Sequence, residues 1–147
     1  MKILMFSPDP NGIPTYSGYL IGAMNKNIEI KYSSNLDDYL DYNIIHIQFE
    51  HSLFHPFGLR LIPILIKLKI RGKKIVLTSH TVLSKKEIYA RNKFFAFIKK
   101  ILLPMGEKVM GWFYDKIIVH TNHSKDILIY DYNINSEKIE VIPHGAY

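Results

Sequence analysis

The sequence predicts an α/β fold: a doubly wound parallel sheet in a three-layer α/β/α sandwich, built as a single domain over residues 1-147. Three observations predict it. Short β-rich runs alternate with helical segments along the whole chain. Several of those runs are apolar throughout, as strands covered on both faces are. Glycine and proline fall between the runs, and no internal repeat, low-complexity stretch or linker interrupts them. Strands separated by helices need right-handed crossovers, and those make a parallel sheet.

The elements follow in order. Lys2–Ser7 is a continuous apolar strand, and the Pro8 to Gly12 loop leads to a helix opening with Pro14. Proline suits the first helical turn, which needs no amide donor there. Tyr16, Leu20, Ala23 and Met24 recur at helical spacing and form the buried stripe of that helix. Ile28–Tyr32 alternates as a second strand and Asn43–Phe49 is a third. A helix over about Leu59–Lys69 ends at Gly72, before a fourth strand at Lys74–Ser79. A long helix covers about Lys93 to Tyr114, with Pro104 inside it. Its inner face is expected to be Phe94, Ile98, Ile101, Leu102, Met105, Val109 and Phe113. Lys116–His120 is a fifth strand, Ser124–Tyr132 a helix with Ser124 near its cap, and Lys138–Ile142 a sixth strand.

Composition excludes several functions. There is no cysteine, so disulfides, thiolate nucleophiles and cysteine-bound zinc are ruled out. The first apolar run ends at Ser7-Pro8-Asp9-Pro10, too early for a targeting segment. Leu59 to Ile70 contains Arg60, Pro63, Lys67 and Lys69, and is too short and charged to span a bilayer. A soluble, cytoplasmic protein is expected. The net charge of +6 invites an anionic partner.

In an open parallel sheet, ligands bind beyond the carboxyl ends of the strands. Six of the seven histidines lie in or beside those ends, the exception being His55. Asn11-Gly12 precedes a helix start, where backbone N–H groups can hold a phosphate, although the same residues also make a plain turn. His80 closes the fourth strand between hydroxyl residues; it can engage a sugar hydroxyl or cap the next turn. Glu50-His51 sets a carboxylate beside an imidazole after the third strand, as an acceptor contact or a solvated loop pair. His51 with His55, and His120 with His123, have spacings that can share a face, but neither pair follows a metal-site motif. No metal and no cofactor is expected.

Lys85, Lys86, Arg91, Lys93, Lys99 and Lys100, with Phe94, Phe95 and Phe97 among them, make a basic aromatic stretch. It reads either as a solvated helix over a phenylalanine core or as a peripheral contact on the inner face of a membrane. Nucleic acid would use the same charges, but no recognition motif accompanies them.

Several stretches together resemble the amino-terminal domain of retaining glycosyltransferases of the GT-B architecture, similar to glycosyltransferase family 4. They are Asn11-Gly12-Ile13, Ile44 to Glu50, Ile75 to Thr81, Asp115 to Thr121 with Ser124-Lys125, and Lys138 to Gly145. The resemblance covers essentially the whole chain and implies a Rossmann-like domain, the amino-terminal half of a two-domain enzyme. That enzyme would transfer a sugar from a nucleoside diphosphate sugar to an acceptor, with retention and without a bound metal. It implies that Asn11 and Gly12 approach the donor diphosphate and that His80 contacts the transferred sugar. Glu50 and His51 would face the acceptor, and Asn122, His144 and Gly145 would border the interdomain cleft. The donor-binding carboxy-terminal half is expected in the same chain or as a separate subunit, and the isolated domain is expected to be inactive. A non-catalytic binding module or a membrane-surface adaptor that retains the fold is the alternative.

Overall fold

Six parallel strands form one sheet in the order β2-β1-β3-β4-β5-β6 in a computed structural model. The strands are β1 (Lys2–Phe6), β2 (Glu29–Ser33), β3 (Ile44–Phe49), β4 (Lys74–Ser79), β5 (Lys116–Val119) and β6 (Ile139–Val141). The structure describes residues 1–8, 17–18, 21–22, 27–37, 39–50, 53–54, 60–87 and 93–143; of these, 87, 93–96 and 98–99 are described by backbone alone. Three long helices lie among them: α1 (Leu61–Ile70), α2 (Lys93–Phe113) and α3 (Asn122–Tyr130). Residues 17–18 and 21–22 are helical between β1 and β2. Tyr16, Leu20, Ala23 and Met24, the stripe expected for that segment, lie outside the described residues.

The strand order makes the fold Rossmann-like. The chain leaves β1 for the edge strand β2 and then returns to β3 on the other side of β1. Right-handed crossovers put the first helical segment on one face and α1, α2 and α3 on the opposite one. The switch point, where a ligand cleft is expected, lies between β1 and β3.

The two faces of the sheet differ in chemistry. Successive strand residues point to opposite faces. Leu4, Phe6, Ile45, Ile47, Phe49, Ile75, Leu77, Ile117 and Val119 form the apolar core with Leu61, Leu65 and Leu68 of α1 and Leu103 and Met110 of α2. The intervening residues on β3 and β4, His46, Gln48 and Thr78, are also buried, yet polar.

Helix ends follow local chemistry. Gly72 adopts φ +68°, a conformation that favours glycine, and stops α1 as the sequence leads one to expect. Its N–H donates to Lys69 O and that of Lys73 to Leu68 O. The cap of α3 is Thr121 rather than Ser124: the Thr121 Oγ accepts from the Ser124 N–H at 3.0 Å. Ser124 is therefore the residue being capped, three positions into the turn.

The orientation of α2 corrects the sequence reading. Leu103, Gly106, Glu107, Met110 and Gly111 are buried, whereas Ile101, Leu102 and Met105 are exposed. Val109 and Phe113 are half-buried, and the side chains of Phe94 and Ile98 lie outside the description. The inward side is chosen by close approach rather than by apolar count. A Cβ on Gly111 would stand 3.0 Å from Ile134 Cδ1, so glycine lets this helix sit against the loop before β6.

Candidate active site

The carboxyl ends of β3, β4, β5 and β6 converge on one polar cluster. In β3, His46 and Gln48 are two residues apart and so share a face; on the neighbouring strand Thr78 of β4 and His80, the residue just past its end, do the same. The register pairs Gln48 with Thr78, which brings these four side chains into sequence across the sheet. Thr78 Oγ1 lies 2.8 Å from His46 Nε2, and Gln48 Nε2 lies 3.4 Å from the same nitrogen. Gln48 Oε1 lies 2.9 Å from His80 Nε2.

The chemistry of the amide orients this chain of bonds. An amide nitrogen only donates and an amide oxygen only accepts. His46 Nε2 is therefore an acceptor, receiving protons from the Gln48 amide and the Thr78 hydroxyl. His80 Nε2 must carry a hydrogen and donate it to Gln48. His46 is suited to this neutral role, because its pKa is pushed down to about 4, by burial first and by the nearby charge of His80 second.

Two further contacts complete the cluster. The rings of His80 and His120 lie 5.3 Å apart, tilted at 46°. His120 Nδ1 donates to the Ile142 carbonyl at 2.9 Å, joining the end of β5 to the end of β6. Thr81 Oγ1 donates to Glu50 Oε2 at 2.7 Å, joining the loop after β4 to the end of β3. Glu50 and His80 are both half-buried.

The loops bearing these residues are anchored from behind. Phe54 stacks on Phe49 at 5.5 Å and meets Phe6 edge-on at 6.3 Å, fixing the chain beyond Glu50. Asp131 Oδ2 accepts from Ser84 Oγ and from the Lys85 N–H, each at 2.9 Å. The Lys85 N–H is the main reason the Asp131 carboxyl titrates below its ordinary value. The Tyr132 hydroxyl donates to the Leu83 carbonyl. Together these hold the segment that follows His80 against the end of α3.

The residues singled out from sequence fall into three groups. His80 and Glu50 are brought together at one edge. Asn122 is the exposed first residue of α3, at the same edge. Asn11, Gly12, His51, His144 and Gly145 lie outside the described residues. His46 is a correction to the group of strand-end histidines: β3 ends at Phe49, as the sequence predicts, which leaves His46 inside the sheet, only 4% exposed. Sequence reasoning missed Gln48 as a site residue. The signal was present, since two polar residues at alternate positions in the apolar run Ile44–Phe49 must share one face. Among the described residues no three histidine, aspartate or glutamate side chains group as metal ligands.

The sequence pattern of Glycosyltransferase Family 4 matches residues 9–146. The chain belongs to glycosyltransferase family 4. No curated protein matches it at a significant level. Membership of family 4 gives the polar cluster its context: a glycosyltransferase-type domain with a Rossmann-like parallel sheet and with His80 beside His120 at its carboxyl edge. Among the described residues, no helix of this family 4 domain is long and apolar enough to cross a membrane.

Proposed function

We propose that the chain is the acceptor-side half of a retaining GT-B glycosyltransferase. It moves a sugar from a nucleoside diphosphate sugar to an acceptor hydroxyl at the carboxyl edge of its sheet. The observation that carries this reading is His80, held at the end of β4 by Gln48 in a family 4 chain. Held by Gln48, the His80 imidazole is presented at the strand end as a hydrogen-bonding group for a hydroxyl of the transferred sugar. Glu50, steadied by Thr81, faces the acceptor side with His51. Asn11 and Gly12 approach the diphosphate, and Asn122, His144 and Gly145 border the cleft.

In the transfer, the acceptor oxygen bonds to the anomeric carbon as the bond from that carbon to the diphosphate breaks. The acceptor proton leaves with the diphosphate. The protein contributes position and electrostatics: it holds the hydroxyl against the carbon and offers hydrogen bonds where charge develops. No metal is assigned a step. A second, donor-binding half completes the cleft, in the same chain or as a separate subunit.

In this domain joined to its donor-binding half, His80→Ala is expected to lower kcat/KM about a hundredfold. Unchanged turnover would remove His80 from the mechanism. The 147-residue chain alone is expected to leave the donor unreacted; transfer by the chain alone would overturn the two-half reading.

A further inference from the structure

The long helix α2 turns an apolar stripe outward, and nearly all of the chain's excess positive charge falls in the stretch of sequence that contains it. Phe97 is 64% exposed, Met105 59% and Trp112 68%, with Ile101 at 43%. At roughly 100° per residue these four fall within an arc of about 80° on the helix surface. Lys108 falls in the same arc and Lys100 beside it, and both are exposed. Residues 85–112 carry seven cations, Lys85, Lys86, Arg91, Lys93, Lys99, Lys100 and Lys108, against two acids, in a chain of net charge +6. One of those acids, Glu107, is on the buried side of the helix.

This pattern is the reverse of an ordinary surface helix, whose outward side is polar. Long aliphatic and aromatic side chains flanked by lysines match an interface that is apolar at depth and anionic at its surface. Tryptophan suits the boundary between those zones. The helix follows β4 and returns to begin β5, so its stripe runs along the helical layer rather than across the carboxyl edge where transfer is proposed.

We propose that the outward face of α2 docks on an anionic lipid surface, with Phe97, Ile101, Met105 and Trp112 entering the headgroup boundary and the lysines meeting lipid phosphates. This inference stands on the surface of α2 alone and does not depend on the transfer reading.

Trp112 is the only tryptophan in the chain, so its emission reports on this face directly. The 147-residue chain is mixed with vesicles of phosphatidylcholine, with and without phosphatidylglycerol, across a salt series, and binding is followed by flotation and by emission. With phosphatidylglycerol, the expected result is flotation together with a shift of Trp112 emission to shorter wavelength, both weakening as salt rises. The double variant Lys100→Glu, Lys108→Glu is expected to bind about tenfold more weakly or worse. The exposed-residue variant Met105→Ser should weaken binding while leaving thermal unfolding in place. Absence of flotation, or flotation indifferent to anionic lipid, overturns the proposal. So does a Trp112 shift that follows protein concentration without vesicles, which would assign the face to a second copy of the chain.

Discussion

Gln48 is the residue on which the site geometry turns. Its amide stands between two imidazoles and must give a proton to one and take a proton from the other. Leucine has nearly the same shape but neither group. Gln48→Leu is therefore expected to release His80 from the Nε2–H tautomer, which imidazole ¹⁵N chemical shifts would show, and to lower turnover by about tenfold or more. A merely structural role would lower stability without moving those shifts, and an unchanged tautomer would refute the orienting role. The sequence placed His80 and Glu50 at strand ends because the apolar runs before them mark where β4 and β3 stop. It counted His46 among the strand-end histidines although the strand read from sequence, Asn43–Phe49, already ran three residues past it. It did not reveal the Thr81 to Glu50 or His80 to His120 contacts, which join separate strands and depend on register.

At the scale of elements, all six strands and the three long helices were legible to within a few residues, since apolar runs and turn residues mark them locally. The rotation of α2 was not. Helical periodicity reports how apolar a face is, whereas rotation here is set by which face can come closest. Gly111 carried that information. Gly111→Leu is expected to push α2 from Ile134 and to destabilise the fold by about 1–3 kcal/mol in a denaturant titration, despite leucine's better helix propensity. An unchanged midpoint would mean that the approach at Gly111 is not tight. The clamp from Asp131 to the segment after β4 is testable in the same way. Asp131→Ala should loosen Ser84 and Lys85, seen as faster amide exchange at Lys85, with little change in the strands.

For the whole molecule, two carboxyls give stability opposite dependences on pH. Burial raises Glu107 from 4.5 to about 7. Its folded value lies above the unfolded one, so its contribution is fully present below 4.5 and has been lost once pH has risen through about 7. Glu107→Gln should flatten that window and raise the melting temperature on its alkaline side, by an effect on the order of 3 kcal/mol; a melting curve with the same slope in both proteins would contradict this. Asp115 behaves the other way. Burial alone would raise it, but hydrogen bonds from Lys69 and the Ile75 N–H, with the Lys69 charge and a bond from Lys74, hold it below 3.8. Its contribution is present above 3.8 and is lost as pH falls through the lowered folded value. Asp115→Asn should therefore cost stability at neutral pH and little in strong acid. The sheet order also bears on how the chain assembles. Of the six strands β1 is made first but lies between β2 and β3, so one side of it waits for residues made some forty positions later. With every pairing parallel, no hairpin can close early to nucleate the sheet. Pairing of β1 should thus wait for β3, and until it arrives the nascent chain presents an unpaired apolar strand that a holdase chaperone would recognise.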